Sequence, residues 1–103
     1  MTTMGPLLDI PIERIEGFCR KWGVRELALF GSAIRDDFRP ESDVDVLVTF
    51  DPGAPISLWD WPLMTEELEE VFGRRVDLVE KDAIKNPYRR RAILAAHRVL
   101  YAA

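Results

Sequence analysis

A chain of 103 residues, 48% hydrophobic and 31% charged, is long enough for one globular domain with a modest core, and we expect residues 1–103 to form a single domain. The formal net charge of −4 and the lack of a basic stripe argue against direct nucleic-acid binding, because neutralisation of phosphates dominates that affinity. Cys19 is the only cysteine and excludes an internal disulfide, and the N-terminus lacks the features of a signal peptide or membrane span, so we expect a cytoplasmic protein.

The first part of the chain predicts a helix followed by a strand. The helix begins near Pro11, and its apolar residues recur at helical spacing: Ile12, Ile15, Cys19 and Trp22, with Phe18 alongside. Gly23 is suited to end the helix, since glycine commonly occupies the first position after a helix C-terminus. Residues 26–30 then predict a strand that is apolar enough to lie at the centre of a sheet.

The middle of the chain predicts a short helical turn, a strand and a second helix. Residues 31–35 form the turn, residues 36–41 a polar connection, and residues 44–50 an apolar strand. The second helix is predicted over 58–72, with Gly73 ending it and these residues at helical spacing: Trp61, Met64, Leu68 and Val71. Its glutamates predict a solvated acidic face, with a face toward a basic partner as the alternative. Trp59 lies off the stripe and is expected to be core or half-buried, with an exposed anchor as the alternative.

The last part of the chain predicts a third strand and a third helix. Residues 75–80 alternate, which leaves Asp77 on the face opposite Val76 and Leu78. Asn86-Pro87 predicts the start of a helix with the following stripe: Tyr88, Ala92, Ala95 and Val99. Four arginines of this segment are expected to be solvated, with contact to a nucleotide or a partner protein as the alternative: Arg89, Arg90, Arg91 and Arg98. The single histidine, His97, has no evident partner in the sequence.

Two aspartates lie at the head of the second apolar strand. Asp43 and Asp45 are two positions apart, so their side chains point to the same face of a strand, where like charges repel unless a cation lies between them. Mg²⁺ meets that need, because proteins usually hold it with one or two carboxylates together with substrate phosphates. A surface turn would explain Ser42 and Asp43, but not Asp45 inside the strand pattern.

Gly31 and Ser32 follow the first strand and offer a place for a phosphate. A glycine lets the backbone approach an anion closely, and the N–H groups at the start of a helix can bind it. An ordinary helix N-cap, for which serine is a favoured residue, explains the pair equally well when it is taken alone.

Together these residues resemble the signature of a known family. Gly31-Ser32, then Arg35, then Ser42-Asp43-Val44-Asp45 is similar to the motif of the minimal nucleotidyltransferases of the DNA polymerase β-like superfamily. The family's third metal carboxylate lies on a later strand, where Asp77 matches it. The resemblance implies an α/β (α+β) fold in which helices flank a small mixed sheet. It also assigns nucleotide binding to Gly31, Ser32, Arg35 and Ser42.

The resemblance further implies a metal-dependent nucleotidyltransferase with ATP as its donor. Asp43 and Asp45 would hold Mg²⁺ at the triphosphate, and Asp77 would share a second ion on the side of the incoming hydroxyl. Gly31 and Ser32 would cradle the distal phosphates. Such a transfer depends on positioning and charge neutralisation, so it requires no histidine or cysteine nucleophile.

The acceptor stays open between three hypotheses. Small members of the family are typically antitoxins encoded beside a HEPN-domain ribonuclease toxin, which implies AMP transfer to a tyrosine of that toxin and a hetero-oligomer with it. The chain could instead be a non-catalytic antitoxin that neutralises its toxin by binding, or a small-molecule enzyme of the aminoglycoside type. Paired carboxylates favour an enzyme, because a pure binder has no use for them. A template-directed polymerase is least favoured, since the chain has no basic surface for a template.

Overall fold

The computed structural model describes residues 2–3, 9–34 and 42–103. The elements, in chain order, are β1 (Thr2–Thr3), β2 (Asp9–Ile10), α1 (Ile12–Trp22), β3 (Val24–Phe30), a 3₁₀ turn (Gly31–Ile34), β4 (Val44–Phe50), α2 (Asp60–Phe72), β5 (Val76–Glu80), a second 3₁₀ turn (Lys81–Ala83), α3 (Pro87–Ala95) and β6 (Arg98–Ala102).

A four-stranded mixed sheet in the order β5-β4-β3-β6 forms the centre of the fold, and β1 and β2 make a separate short pair. Strand β3 runs antiparallel to both β4 and β6, whereas β4 and β5 run parallel. Parallel neighbours need a long crossover connection, and the segment that contains α2 supplies it. The mixed sheet with its flanking helices confirms the predicted fold class, and β3 has the predicted central position.

Each face of the sheet has its own apolar core. The face under α1 and α2 carries the larger one, to which the strands and helices contribute, among others, Leu27, Leu29, Val46, Ile15, Phe18, Met64 and Leu68. The opposite face carries a smaller cluster that includes Ile93 of α3 and Ile84 after the second 3₁₀ turn: Ala28, Phe30, Leu47, Ile84 and Ile93. The predicted site residues Asp45 and Asp77 lie on this second face.

The predicted helix ends are confirmed where the sequence carries a specific capping residue. Gly23 ends α1 and Gly73 ends α2, each with φ +68, in the left-handed conformation that glycine adopts without strain. Asn86 caps α3, because its side-chain oxygen accepts hydrogen bonds from the backbone N–H groups of Tyr88 and Arg89. No helix within the described ranges is long and apolar enough to cross a membrane.

The predictions for the start and the charged face of α2 need correction. The helix begins at Asp60 rather than at residue 58, and Trp59 is 87% exposed, so the prediction that it is core or half-buried was wrong. The acidic face is only partly solvated. Glu67 accepts hydrogen bonds from Lys21 and Trp22, and Glu69 accepts one from the backbone N–H of Val76.

The C-terminal segment differs most from the prediction. The helix α3 ends at Ala95, and Val99 belongs to β6, which pairs with the edge of β3. Tyr88 is 79% exposed, so the predicted apolar stripe is wrong. His97 does have a partner, since its Nδ1 lies 2.8 Å from the carbonyl oxygen of Leu94. Arg90 is not simply solvated, because it donates to the Lys81 carbonyl at 2.6 Å.

Candidate active site

Asp45 and Asp77 lie side by side on neighbouring strands. They are register partners in the parallel pair of β4 and β5, so both side chains point to the same face of the sheet. On its other side, Asp45 is the register partner of Phe30 in the antiparallel pair of β3 and β4. The sheet therefore sets up one cross-strand row, Phe30–Asp45–Asp77, in which the two carboxylates are neighbours.

This row of residues marks the limit of the apolar core on its face. The next row is Ala28–Leu47–Val79, in which Ala28 and Leu47 are buried. Asp45 is only partly buried and Asp77 is exposed. The backbones of both acids are thus fixed by the sheet, whereas their carboxylates remain accessible to a ligand.

Gly31 is a position at which the backbone passes close to the side chain of Asp45. Its φ of +68 is a conformation that other residues rarely adopt, and a Cβ placed there would overlap Oδ2 of Asp45 and lie 3.2 Å from its Cγ. The sequence analysis interpreted Gly31 as a place where the backbone could approach an anion. The nearest group to the missing side chain is the carboxylate of a predicted site residue.

Asp43 lies just before β4, on the exposed surface. Its Oδ1 pairs with Nε of Arg75 at 3.1 Å. The neighbouring backbone is tied as well, since the N–H of Val44 donates to the carbonyl of Arg75 at 2.9 Å. Sequence reasoning missed Arg75 as a site residue. The available signal was its position two residues before Asp77, which places both on the same side of an extended chain.

The remaining predicted site residues are described only in part. Ser42 is partly buried and takes part in an interaction. Arg35 and the side chain of Ser32 lie outside the described residues. As the described side chains stand, no three acidic, histidine or cysteine groups are close enough together to hold a metal ion. The predicted donors Asp43, Asp45 and Asp77 are nevertheless all carboxylates, which is the oxygen chemistry that Mg²⁺ requires.

A cavity of about 250 Å³ opens beside Gly31, next to the Phe30 end of the row Phe30–Asp45–Asp77. Phe30, Gly31 and Ile34 line one side, and α3 lines the other with Arg89, Ala92, Ile93 and Ala96. Arg89 is exposed at this cavity and is a second residue that the sequence analysis did not assign to the site. The cavity offers mostly apolar walls and one cation, and Gly31 in its lining adjoins the Asp45 carboxylate, so the cavity suits part of an organic anion such as a nucleotide.

Comparison with known proteins identifies the family. The nucleotidyltransferase domain model matches residues 12–100, so the chain belongs to the nucleotidyltransferase domain family. A protein of Methanocaldococcus jannaschii, provisionally named a protein adenylyltransferase, is 40% identical over 93 residues, which are 90% of this chain and 93% of that protein. The protein adenylyltransferase MntA of Thermococcus cleftensis is 44% identical over 66 residues, 64% of this chain and 65% of its own length. The predicted class of enzyme is thereby confirmed.

Solved structures share the fold. A protein provisionally named a minimal nucleotidyltransferase superimposes with a TM-score of 0.68 at 31% identity, over 84% of this chain and 85% of that chain. A toxin–antitoxin structure with AMP-PNP gives 0.72 at 17% identity, over 91% and 75%. A tri-AMPylated HEPN toxin of Shewanella oneidensis in complex with an MNT antitoxin gives 0.63 at 17% identity, over 89% and 70%. The last two, given their low identity, are matches of fold.

Proposed function

We propose that this chain is a protein adenylyltransferase that moves AMP from ATP to a tyrosine hydroxyl of a HEPN ribonuclease toxin, and so acts as its antitoxin. The observation that carries the proposal is the register pairing of Asp45 with Asp77 beside Gly31. Relatives named protein adenylyltransferases, and the fold shared with antitoxins seen beside HEPN toxins, support it. The proposal includes a hetero-oligomer with the toxin in the cytoplasm.

In this proposal Asp43, Asp45 and Asp77 hold Mg²⁺, which when bound supplies positive charge to the phosphates and to the attacking oxygen. The register of Asp45 between Phe30 and Asp77 in the sheet supports this role. Gly31 and Ser32 would cradle the distal phosphates, with Arg35 and Ser42 as further nucleotide ligands, and the place of Gly31 in the lining of the neighbouring cavity supports this.

The reaction itself asks little covalent chemistry of the protein. The acceptor hydroxyl releases its proton to solvent, its oxygen forms a bond to the α-phosphorus of ATP, and the bond from that phosphorus to pyrophosphate breaks. Asp77 lies on β5, the outer strand of the pair, so we assign it to orienting the incoming hydroxyl. Asp43 and Asp45 then serve the nucleotide side. Catalysis follows from position and charge, which is why a site without a histidine or cysteine nucleophile suffices.

Neutralisation by binding is the second candidate function, and one observation favours it. Leu58, Trp59 and Leu63 are 90%, 87% and 58% exposed around the start of α2. Large apolar side chains exposed together are typical of surfaces that meet another protein. A toxin held there could be silenced without any transfer of AMP.

Stoichiometry separates the two functions. With ATP and Mg²⁺, a catalytic amount of the protein should silence a molar excess of toxin, and intact-mass measurement should show the toxin heavier by one or more AMP units. The double variant Asp43→Asn/Asp45→Asn should fail in both assays and remain folded, because neither carboxylate is buried. A matched control is Asp51→Asn/Asp82→Asn, which removes two exposed acids at the opposite ends of β4 and β5.

The control variant should modify the toxin at the wild-type rate. Protection that is stoichiometric, independent of nucleotide and unaffected by the Asp43/Asp45 change would overturn the enzymatic proposal and leave neutralisation by binding.

A further inference from the structure

The ion pair between Arg75 and Asp43 ties a cation to one of the three proposed metal ligands. Nε of Arg75 lies 3.1 Å from Oδ1 of Asp43, and the side chains are 78% and 49% exposed. An exposed pair of this kind contributes little to folding stability, because water screens it and two long side chains lose freedom to form it. Stability alone therefore gives no reason for an arginine at this position.

The strands hold the two residues of this pair in place. Val44, next to Asp43, donates its N–H to the carbonyl of Arg75 and is the register partner of Val76. The backbones of Arg75 and Asp43 are therefore fixed beside each other at the start of β4 and β5. The guanidinium, at the end of a long exposed side chain, can still turn about its own bonds without disturbing the sheet.

Arg75 also stands on the side of the carboxylates. It lies two residues before Asp77, the register partner of Asp45. Along an extended chain that spacing puts both side chains on one side. A guanidinium that leaves Asp43 would remain within this group of acids, where ATP would bring its phosphates.

We propose that Arg75 is a positioning residue that occupies Asp43 until a metal–nucleotide complex binds, and then transfers its guanidinium from Asp43 to the triphosphate. The inference rests on the proposed function for its nucleotide half. Metal and Arg75 compete for the same carboxylate, whereas phosphate and Arg75 attract each other through the planar, two-pronged contact that arginine makes with phosphate. One side chain thus weakens binding of metal alone and strengthens binding of the metal–nucleotide complex.

The two halves predict effects of opposite sign for one substitution. Arg75→Ala should raise the affinity for Mn²⁺ alone about two- to fivefold, the range expected when an exposed ion pair no longer competes. The same change should lower the affinity for AMP-PNP in the presence of Mg²⁺ by about tenfold or more, the range for a lost hydrogen bond to a charged group. Electron paramagnetic resonance of free Mn²⁺ measures the first affinity, and calorimetry measures the second.

Two further variants identify the cause. Arg75→Lys keeps the charge but loses the planar fork, so its AMP-PNP affinity should lie between those of the wild type and Arg75→Ala. Arg91→Ala removes an exposed arginine of α3 that does not line the cavity beside Gly31, and both affinities should stay within about twofold of the wild type. Thermal unfolding confirms that each variant is folded, as expected for exposed positions.

Every outcome bears on the inference. Opposite-signed changes in Arg75→Ala support it. Three results would each overturn it: an Mn²⁺ affinity of Arg75→Ala that stays the same or falls, an AMP-PNP affinity of that variant that stays the same, or equal effects in Arg91→Ala. The proposed function would stand in all three cases, provided that the wild type binds Mg²⁺–AMP-PNP. A wild-type protein that binds no Mg²⁺–AMP-PNP overturns the proposed function, and the inference with it.

Discussion

At the scale of single residues, Gly31 has the most crowded surroundings of the described glycines. It combines a left-handed φ of +68 with a position where a Cβ would overlap the Asp45 carboxylate. Gly53 shares the first property, with φ +85, but nothing lies within 4 Å of its missing Cβ. Comparing substitutions at Gly31 and Gly53 therefore distinguishes the effect of backbone strain from the effect of displacing Asp45.

Gly31→Ala and Gly53→Ala should each lower the free energy of unfolding by about 1–2 kcal/mol through left-handed strain, measured by urea denaturation. Only Gly31→Ala should also reduce AMP transfer, because its methyl group pushes the Asp45 carboxylate away from Asp77. We expect a loss of about a hundredfold, as for other displacements of about 1 Å at a reacting site. Equal activity in the two variants would show that Asp45 tolerates the displacement.

At the scale of elements, the start of α2 provides a matched pair of tryptophans. Trp59 precedes the helix and is 87% exposed. Trp61 is partly buried and meets Phe50 in an edge-to-face contact with ring centroids 6.2 Å apart. Trp61, inside the helix, therefore packs against the sheet, whereas Trp59, just before the helix, does not.

Trp61→Ala should lower the free energy of unfolding by about 2 kcal/mol, less than the cost of a fully buried aromatic because Trp61 is only partly covered. Trp59→Ala should change it by less than about 0.5 kcal/mol. Urea denaturation of the two variants checks the pair. A cost at Trp59 similar to that at Trp61 would contradict the exposed position of Trp59.

The elements that sequence reasoning predicted well are those with a local signal. Gly23, Gly73 and Asn86 each carry capping chemistry that acts within one helical turn. Strand β6 has no such signal, because the helical spacing of small and apolar residues continues from Ala92 to Val99. Pairing with the open edge of β3, far away in sequence, decides its conformation instead.

The features of the candidate site likewise divide into local ones, which the sequence predicts, and non-local ones, which it does not. Asp43 and Asp45 are predictable as a pair, since alternation along a strand is a local property. The pairing of Asp45 with Asp77 depends on the register of two parallel strands that are joined through a helix, which the residues of neither strand specify. The contact between Arg75 and Asp43 is non-local as well. Spacing places Arg75 on the side of Asp77, but only the pairing of the two strands brings it to Asp43.

At the scale of the whole molecule, one buried group links folding stability to pH. Burial raises the pKa of the Cys19 thiol from 9.0 to about 12; the charge of nearby Arg20 opposes this shift and that of Glu16 adds to it. The unfolded chain releases this proton near pH 9, whereas the folded protein retains it until about pH 12. The contribution of the protonated Cys19 thiol to the free energy of unfolding is therefore fully present below pH 9, and it is lost as the pH rises from 9 to about 12.

The wild type should lose about 1.4 kcal/mol more than Cys19→Ala when the free energy of unfolding is compared at pH 8 and pH 10. The variant corrects for tyrosines and lysines, which titrate in both proteins, and its lower stability at pH 8 cancels in the comparison. Urea denaturation at the two pH values provides the measurement. A pH dependence identical in both proteins would mean that the native thiol ionises normally.

The crossover between β4 and β5 determines when during synthesis the site can exist. Asp45 leaves the ribosome well before Asp77, and the whole of α2 lies between them in the chain. A nascent chain that has completed β3 and β4 thus contains Gly31, Asp43 and Asp45, but it still lacks strand β5, which carries Asp77. Under the proposed function, the third carboxylate joins the site only once β5 has docked. A metal–nucleotide complex held by all three carboxylates would therefore stabilise the finished molecule and not incomplete chains.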